Sequence, residues 1–168
     1  MNTGLTLTGL ALSLIILWAN LRPWWTGSRD PKMLAAFGQG ALLGALATMC
    51  SGGILGWLAG CAPGIANTAG DKAISGLSGS ASSAPIARAT MGTLTPEGAL
   101  IVALVTAAVV FAWRKAAKDD KKRILGGAFT GATLCITAGV AGALAFLPDL
   151  VNDAGAQLVA ALSTGGAL

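Results

Sequence analysis

PEGALIVALVTAAVVFAW, residues 96–113, decides the fold class. Thr95 stands before it as a capping residue, Pro96 suits the first helical position, and Glu97 sits where the helix dipole favours negative charge. After Glu97 no ionisable side chain occurs until Arg114. The stretch therefore reads as a helix start followed by an apolar run just long enough for a hydrocarbon core of roughly 30 Å.

Three further apolar runs lie outward from it, Thr3–Leu21, Leu34–Gly60 and Ile124–Leu147. The expected fold is all-α: a polytopic membrane protein with four transmembrane helices arranged as two hairpins, plus a short C-terminal amphipathic helix. Residues 1–60 read as the first transmembrane hairpin and 96–147 as the second. Between them, residues 61–95 are rich in Gly, Ser and Ala (SGLSGSASSAP at 75–85) and read as a flexible extracytoplasmic loop. Residues 148–168 form an outer tail. On a helical wheel Leu150, Val151, Ala154, Leu158, Val159, Ala161 and Leu162 take one side, with Asp149, Asn152, Asp153, Gln157, Ser163 and Thr164 opposite. Such a helix lies on the outer surface or folds back onto its own bundle.

Composition agrees. Of 168 residues, 54% are hydrophobic and 11% charged, against about 25% charged in a soluble domain. Nine of the eleven Lys and Arg crowd into two short segments, Arg22, Arg29 and Lys32, then Arg114, Lys115, Lys118, Lys121, Lys122 and Arg123. The long central loop carries only Lys72 and Arg88. Basic residues mark the cytoplasmic side, so both short loops are expected inside, with both termini extracytoplasmic in the cytoplasmic membrane. The net charge of +4 is thereby a topology signal, and no nucleic-acid partner is expected. Trp18, Trp24, Trp25 and Trp113 fall at the cytoplasmic ends of the spans and Trp57 at the outer end of the second, where indole rings favour the headgroup boundary. No basic residue precedes the first apolar run, so that run is expected to be a retained span.

The chain has no His, no Tyr and three scattered Cys. Haem ligation, thiolate metal binding, paired-cysteine redox chemistry and base-assisted hydrolysis all lack their side chains. The spans hold no ionisable residue of the kind that marks a proton relay or ion path. No enzymatic activity, metal or cofactor is expected.

Small residues recur at four-residue spacing: Gly40 and Gly44, then Gly52, Gly56 and Gly60, in the second run; Gly127 and Gly131, then Ala138 and Gly142, in the fourth. Lacking side chains, such positions let helix backbones approach closely in lipid. They serve packing within one protomer, self-association into a homo-oligomer, or both. Gln39, Thr48, Ser51, Thr130, Thr133 and Thr137 are the polar residues within the runs, either structural or lining a narrow pore. Leu58-Ala59-Gly60-Cys61 matches the pattern read by bacterial lipoprotein processing, which makes Cys61 a lipidation candidate; Leu-Ala-Gly is also common chance output of this composition. The two halves share Leu-Thr-x-x-Gly (Leu5–Gly9, Leu94–Gly98), and GALLGA at Gly40–Ala45 is similar to GAFTGA at Gly127–Ala132, a weak sign of internal duplication.

The Gly/Ala-rich second hairpin, with its tight basic turn, is similar to the pilin subunits of type IV secretion systems. The whole chain loosely resembles phage holins and the small membrane spread proteins of actinomycete conjugative plasmids. These resemblances imply a self-associating scaffold or subunit of an envelope assembly (secretion, conjugation or phage related), with the lipid bilayer, further copies and envelope or secretion-machine proteins as partners. A holin-like or channel-like pore former and a small solute transporter are the alternatives.

Overall fold

The computed structural model describes residues 4–27, 29–80 and 84–164. Among these the secondary structure is all helical: α1 (Leu7–Thr26), α2 (Pro31–Met49), α3 (Gly53–Ser78), α4 (Pro96–Lys115), α5 (Lys118–Leu134), α6 (Ala138–Ala143) and α7 (Leu147–Thr164). The first residue of the Thr3–Leu21 run, residues 81–83 of the loop and 165–168 of the tail lie outside the described residues.

Local chemistry sets the boundaries. Thr6 caps α1 by accepting the Gly9 amide at 3.3 Å, and Thr95 caps α4 by accepting the Gly98 amide at 3.1 Å. Asp30 caps α2 through the Lys32 amide at 2.9 Å, with Pro31 in the first turn. Glu97 in the first turn of α4 and Arg114 and Lys115 in its last complement the helix dipole at both ends.

Two helices, α1 and α4, are long and apolar enough to cross a membrane, and the number reaches three if the bent pair α2–α3 counts as one span. Among the described residues this is fewer than the four spans expected. The Leu34–Gly60 run breaks at Cys50-Ser51-Gly52, Gly53 takes a left-handed φ of 71°, and α3 departs at 101° to α2. The Ile124–Leu147 run breaks at Cys135-Ile136-Thr137 and again at Leu144-Ala145-Phe146. The first turns of α5 hold Lys118–Arg123, which leaves Ile124–Leu134 as its apolar part, far short of the roughly 20 residues a crossing needs.

The central segment also differs from the expected flexible loop. α3 continues through Ser78 and ends on Gly79 at φ 70°. The chain after it is extended and pinned at both sides. Ile86 donates to the Leu5 carbonyl at 2.8 Å, Ala89 to the Ile136 carbonyl at 3.1 Å, and Ala138 to the Ala87 carbonyl at 2.9 Å. One strap thus ties the lead-in of α1 to the break after α5.

Sequence-adjacent helices touch little. The most extensive packing is between α2 and α5, followed by α1 on α3, α4 on α7 and α1 on α5. The hairpins are therefore interleaved rather than side by side. Ala36, Val109 and Ile124 pack together where the α1–α2 and α4–α5 turns meet. The largest core cluster, including Leu46, Met49, Met91, Val102, Cys135 and Val151, lies at the opposite end, where α2 and α5 stop. α7 folds onto the bundle through Val151 and Gly155, while Leu150 (58%) and Leu162 (40%) stay exposed.

Candidate functional site

The centre of the molecule is the α2–α5 crossing, and glycine creates it. A Cβ on Gly40 would fall on the Ile124 carbonyl and 2.9 Å from the Ala128 nitrogen; one on Gly44 would fall on the Ala128 carbonyl and 2.7 Å from the Ala132 nitrogen. From the other side, a Cβ on Gly127 would strike the Phe37 carbonyl and one on Gly131 the Ala41 carbonyl. Residue numbers rise together on both helices, so the helices run parallel. Each contact has a counterpart 87 positions away: Gly40 maps onto Gly127 as Ile124 maps onto Phe37. Gly40, Gly44, Gly127 and Gly131 are thus spent within one chain.

The same correspondence governs the helix starts. Asn67 on α3 accepts the Thr6 amide at 2.9 Å and the Thr6 hydroxyl at 3.0 Å, and its Nδ2 donates to the Gly4 carbonyl at 2.8 Å. Asn152 on α7 accepts the Thr95 amide at 2.9 Å and the Thr95 hydroxyl at 3.3 Å, and its Nδ2 donates to the Thr93 carbonyl at 3.3 Å. A Cβ on Gly70 would meet the Thr8 carbonyl, and one on Gly155 the Glu97 carbonyl. α3 and α7 therefore each seat a glycine against the first turn of α1 or α4 and cover the cap residue's amide with a carboxamide. The shared signature is Pro-x-x-x-Asn-x-Ala-Gly, Pro63–Gly70 and Pro148–Gly155. It joins Leu-Thr-x-x-Gly and the glycine pairs as a third matched segment, and an offset search of the sequence at 85 residues exposes it. The chain is an internal repeat in which α1–α2–α3 answers α4–α5–α6/α7.

The repeat is not perfect, and one difference is compensated. The Thr8 hydroxyl donates to the Asp71 carboxylate of α3. In the second half Glu97 occupies the position of Thr8, and Ala156 that of Asp71. Each span start keeps one carboxylate near its positive dipole end, supplied from the surface helix in one case and from the span in the other.

All nine basic anchors gather at the end where the α1–α2 and α4–α5 turns meet. Arg22 is in the last turns of α1, Arg29 in the turn with a positive φ of 52°, and Lys32 in the first turn of α2. Arg114 and Lys115 close α4; Lys118, Lys121, Lys122 and Arg123 open α5. Lys122 pairs with Asp119 at 3.5 Å and Arg123 with Asp120 at 2.9 Å, while the Lys121 ammonium lies 5.3 Å from the Trp113 ring centre. Trp24 packs edge-on to Trp25 at 6.2 Å, and Trp18 and Trp25 are largely exposed. Trp57 belongs to α3, just beyond the bend, and is 66% exposed.

The remaining small residues divide. Gly56 packs on the Cys50 carbonyl, whereas a Cβ at Gly52, Gly60 or Gly142 would enter open space. Gly60 and Cys61, with Gly56, Trp57, Gly64 and Lys72, border a groove of about 920 Å³ along α3, and Cys61 sits in mid-helix with an unoxidised thiol. Of the polar residues, Thr48 and Thr133 donate to carbonyls of their own helices at 2.7 and 2.9 Å, and Thr137, in the break after α5, donates to the Leu134 carbonyl at 2.7 Å. Thr130 is buried with its hydroxyl unpartnered among the described residues, Ser51 is exposed at the bend, and Gln39 is exposed in mid-α2. Sequence reasoning gave no role to Asn67, Asn152 or Asp71, because their partners lie 57–63 residues away.

Family models, curated proteins and solved structures were all compared with this chain, and none matches.

Proposed function

We propose that this chain is a non-enzymatic integral membrane protein that self-associates and serves as a scaffold or subunit of an envelope assembly, of the secretion, conjugation or phage-related kind. In this reading the basic turns face the cytoplasm and both termini face outward. The single observation that carries it is the bare apolar surface of the two span helices. On α1 Leu14 (47%) and Ile15 (58%) are exposed, and on α4 Leu104 (51%), Val110 (48%) and Phe111 (64%). A surface of that kind is stable in lipid, and what remains for it there is contact with acyl chains or with other helices. Absence of ionisable groups from the apolar part of α4 favours an assembly role over ion or proton coupling.

The test is fractionation followed by cross-linking. The chain is expected in the detergent-extracted membrane fraction, with a discrete cross-linked oligomer and an undisturbed membrane potential on expression. A protein that stays folded and monodisperse in water without detergent defeats the reading.

A second reading, a pore former, is favoured by one feature. Asn20 of α1 lies against Gly126 of α5, one helical turn from Thr130, whose buried hydroxyl has no partner among the described residues. Expression that collapses the membrane potential supports it. A small solute transporter, the third reading, requires solute-dependent flux from purified protein in vesicles.

A further inference from the structure

The glycines at the α2–α5 crossing are engaged inside one chain, so copies that associate must meet elsewhere. On the outward side of α2, Leu34, Ala35, Gly38, Gln39 and Leu42 are all exposed. Their spacing (i, i+1, i+4, i+5, i+8) is one continuous helical stripe. Opposite it, Ala36, Phe37, Gly40 and Gly44 are buried. Gln39 lies eight residues beyond Pro31, about 12 Å along the helix; with the bent α2–α3 pair taken as one span, that places it well inside a hydrocarbon core of roughly 30 Å. Asn20, Asn67 and Asn152 each satisfy their carboxamides on backbone groups. The Gln39 carboxamide has no hydrogen-bond partner among the described residues. A carboxamide left facing acyl chains is costly, which sets this stripe apart from the exposed apolar residues Leu14, Ile15, Leu104, Val110 and Phe111 of α1 and α4.

The repeat shows how the fold treats the equivalent place. Gly126 is the α5 counterpart of Gln39, and the Asn20 carboxamide of α1 covers it, with Nδ2 2.9 Å from where a Cβ would stand. On α4 the counterpart of Asn20 is the aliphatic Val109, and Gln39 of α2 stays exposed. A Gln carboxamide is at once donor and acceptor, and hence self-complementary about a two-fold axis. At Gly38 a side chain would meet only open space, so a second helix has room to come close.

We infer that the Leu34–Leu42 stripe of α2 is the contact between two copies of this chain, its parallel α2 helices related by a two-fold axis along the membrane normal, with reciprocal hydrogen bonds between the two Gln39 side chains. This rests on the self-association reading above, and it assigns that association a face. Gln39 is exposed in the protomer, so replacing it leaves the α2–α5 packing intact.

The experiment is oxidative cross-linking in native membranes. Gln39→Cys in a background lacking Cys50, Cys61 and Cys135 is expected to give a disulfide dimer, while Leu104→Cys and Phe111→Cys on α4 stay monomeric. Independently, in the chain with its own cysteines, Gln39→Leu is expected to weaken dimerisation in vesicles about tenfold by energy transfer between labelled copies, and Gln39→Asn to retain part of it. Wild-type protein that is monomeric at every protein-to-lipid ratio overturns the self-association reading itself. Wild-type association that Gln39→Leu leaves unchanged, with cross-linking at Gln39→Cys no better than at the α4 controls, overturns only the face assigned here, and assigns the stripe to lipid or a different protein. Labelling of Gln39→Cys by a membrane-impermeant maleimide also overturns it, because the face is then lined by water.

Discussion

Asn67 and Asn152 perform one task at two helix starts, and their unequal burial grades the outcome of removing them. Asn67 is 8% exposed and satisfies Thr6 and Gly4; Asn152 sits in a more open setting over Thr95 and Thr93. Asn67→Ala is expected to cost about 1–3 kcal/mol, and Asn152→Ala roughly half as much, measured by thermal or denaturant unfolding in detergent. Equal losses would show that burial does not govern these caps. The Thr8–Asp71 pair offers a sharper check. Asp71→Ala should destabilise the start of α1, and adding Thr8→Glu should restore much of the loss by reproducing the Glu97–Ala156 arrangement of the second half. At this scale the Thr95 cap was legible in the sequence, since a cap and its first turn are neighbours in the chain, and the Thr6 cap emerged only with the structure. Asn67, Asn152 and Asp71 were not legible, because a side chain that closes a contact some 60 residues away leaves no local pattern.

Among the helices, the α2–α5 crossing concentrates the consequences of small changes. Gly44→Ala places a methyl on the Ala128 carbonyl, and Gly131→Ala places one on the Ala41 carbonyl. Both force the helices apart and are expected to cost about 3 kcal/mol or more, read as lost folded yield in detergent. Gly60→Ala and Gly142→Ala meet open space, so each should be neutral or gain up to about 1 kcal/mol from helix propensity alone. A uniform loss across all four would mean that the close approach is not what these glycines provide. The glycine spacing announced a tight crossing, and the structure supplies the partner. The span count misled for a physical reason: hydropathy registers apolar length but not the Ser51-Gly52-Gly53 turn or the Cys135–Thr137 break, where short polar and small residues end a helix without interrupting the apolar run. Likewise the Gly/Ser/Ala content of 61–95 concealed α3, whose inner side needs only Ala59, Ala62, Ala66 and Gly70 to pack.

For the molecule as a whole, interleaving matters more than hairpin formation. α1 leans on α5 and α2 on α5 and α4, so nearly every large contact except those with the surface helices joins the two halves. A protease site inserted between Gly79 and Ser80, once cut in detergent, is expected to leave the two fragments co-purifying, held by the α2–α5 crossing. Separation into independent halves would mean that this crossing is too weak to organise the fold. The LTxxG and GxxxG matches hinted at such a duplication, while its strongest mark, the paired Pro-x-x-x-Asn-x-Ala-Gly segments, lay inside what composition presented as loop and tail.

Interleaving also imposes a delay during biosynthesis. Asn20 is covered by the turn around Gly126, which leaves the ribosome about a hundred residues later, a wait of roughly 5–20 s at ordinary translation speeds. In the membrane reading proposed above, α1 spends that interval in the bilayer with Asn20 turned toward a neighbour that has not yet been made. On that reading the nascent first half depends on the insertion machinery to shelter it, and slowing elongation between codons 80 and 126 should raise its turnover by membrane quality-control proteases.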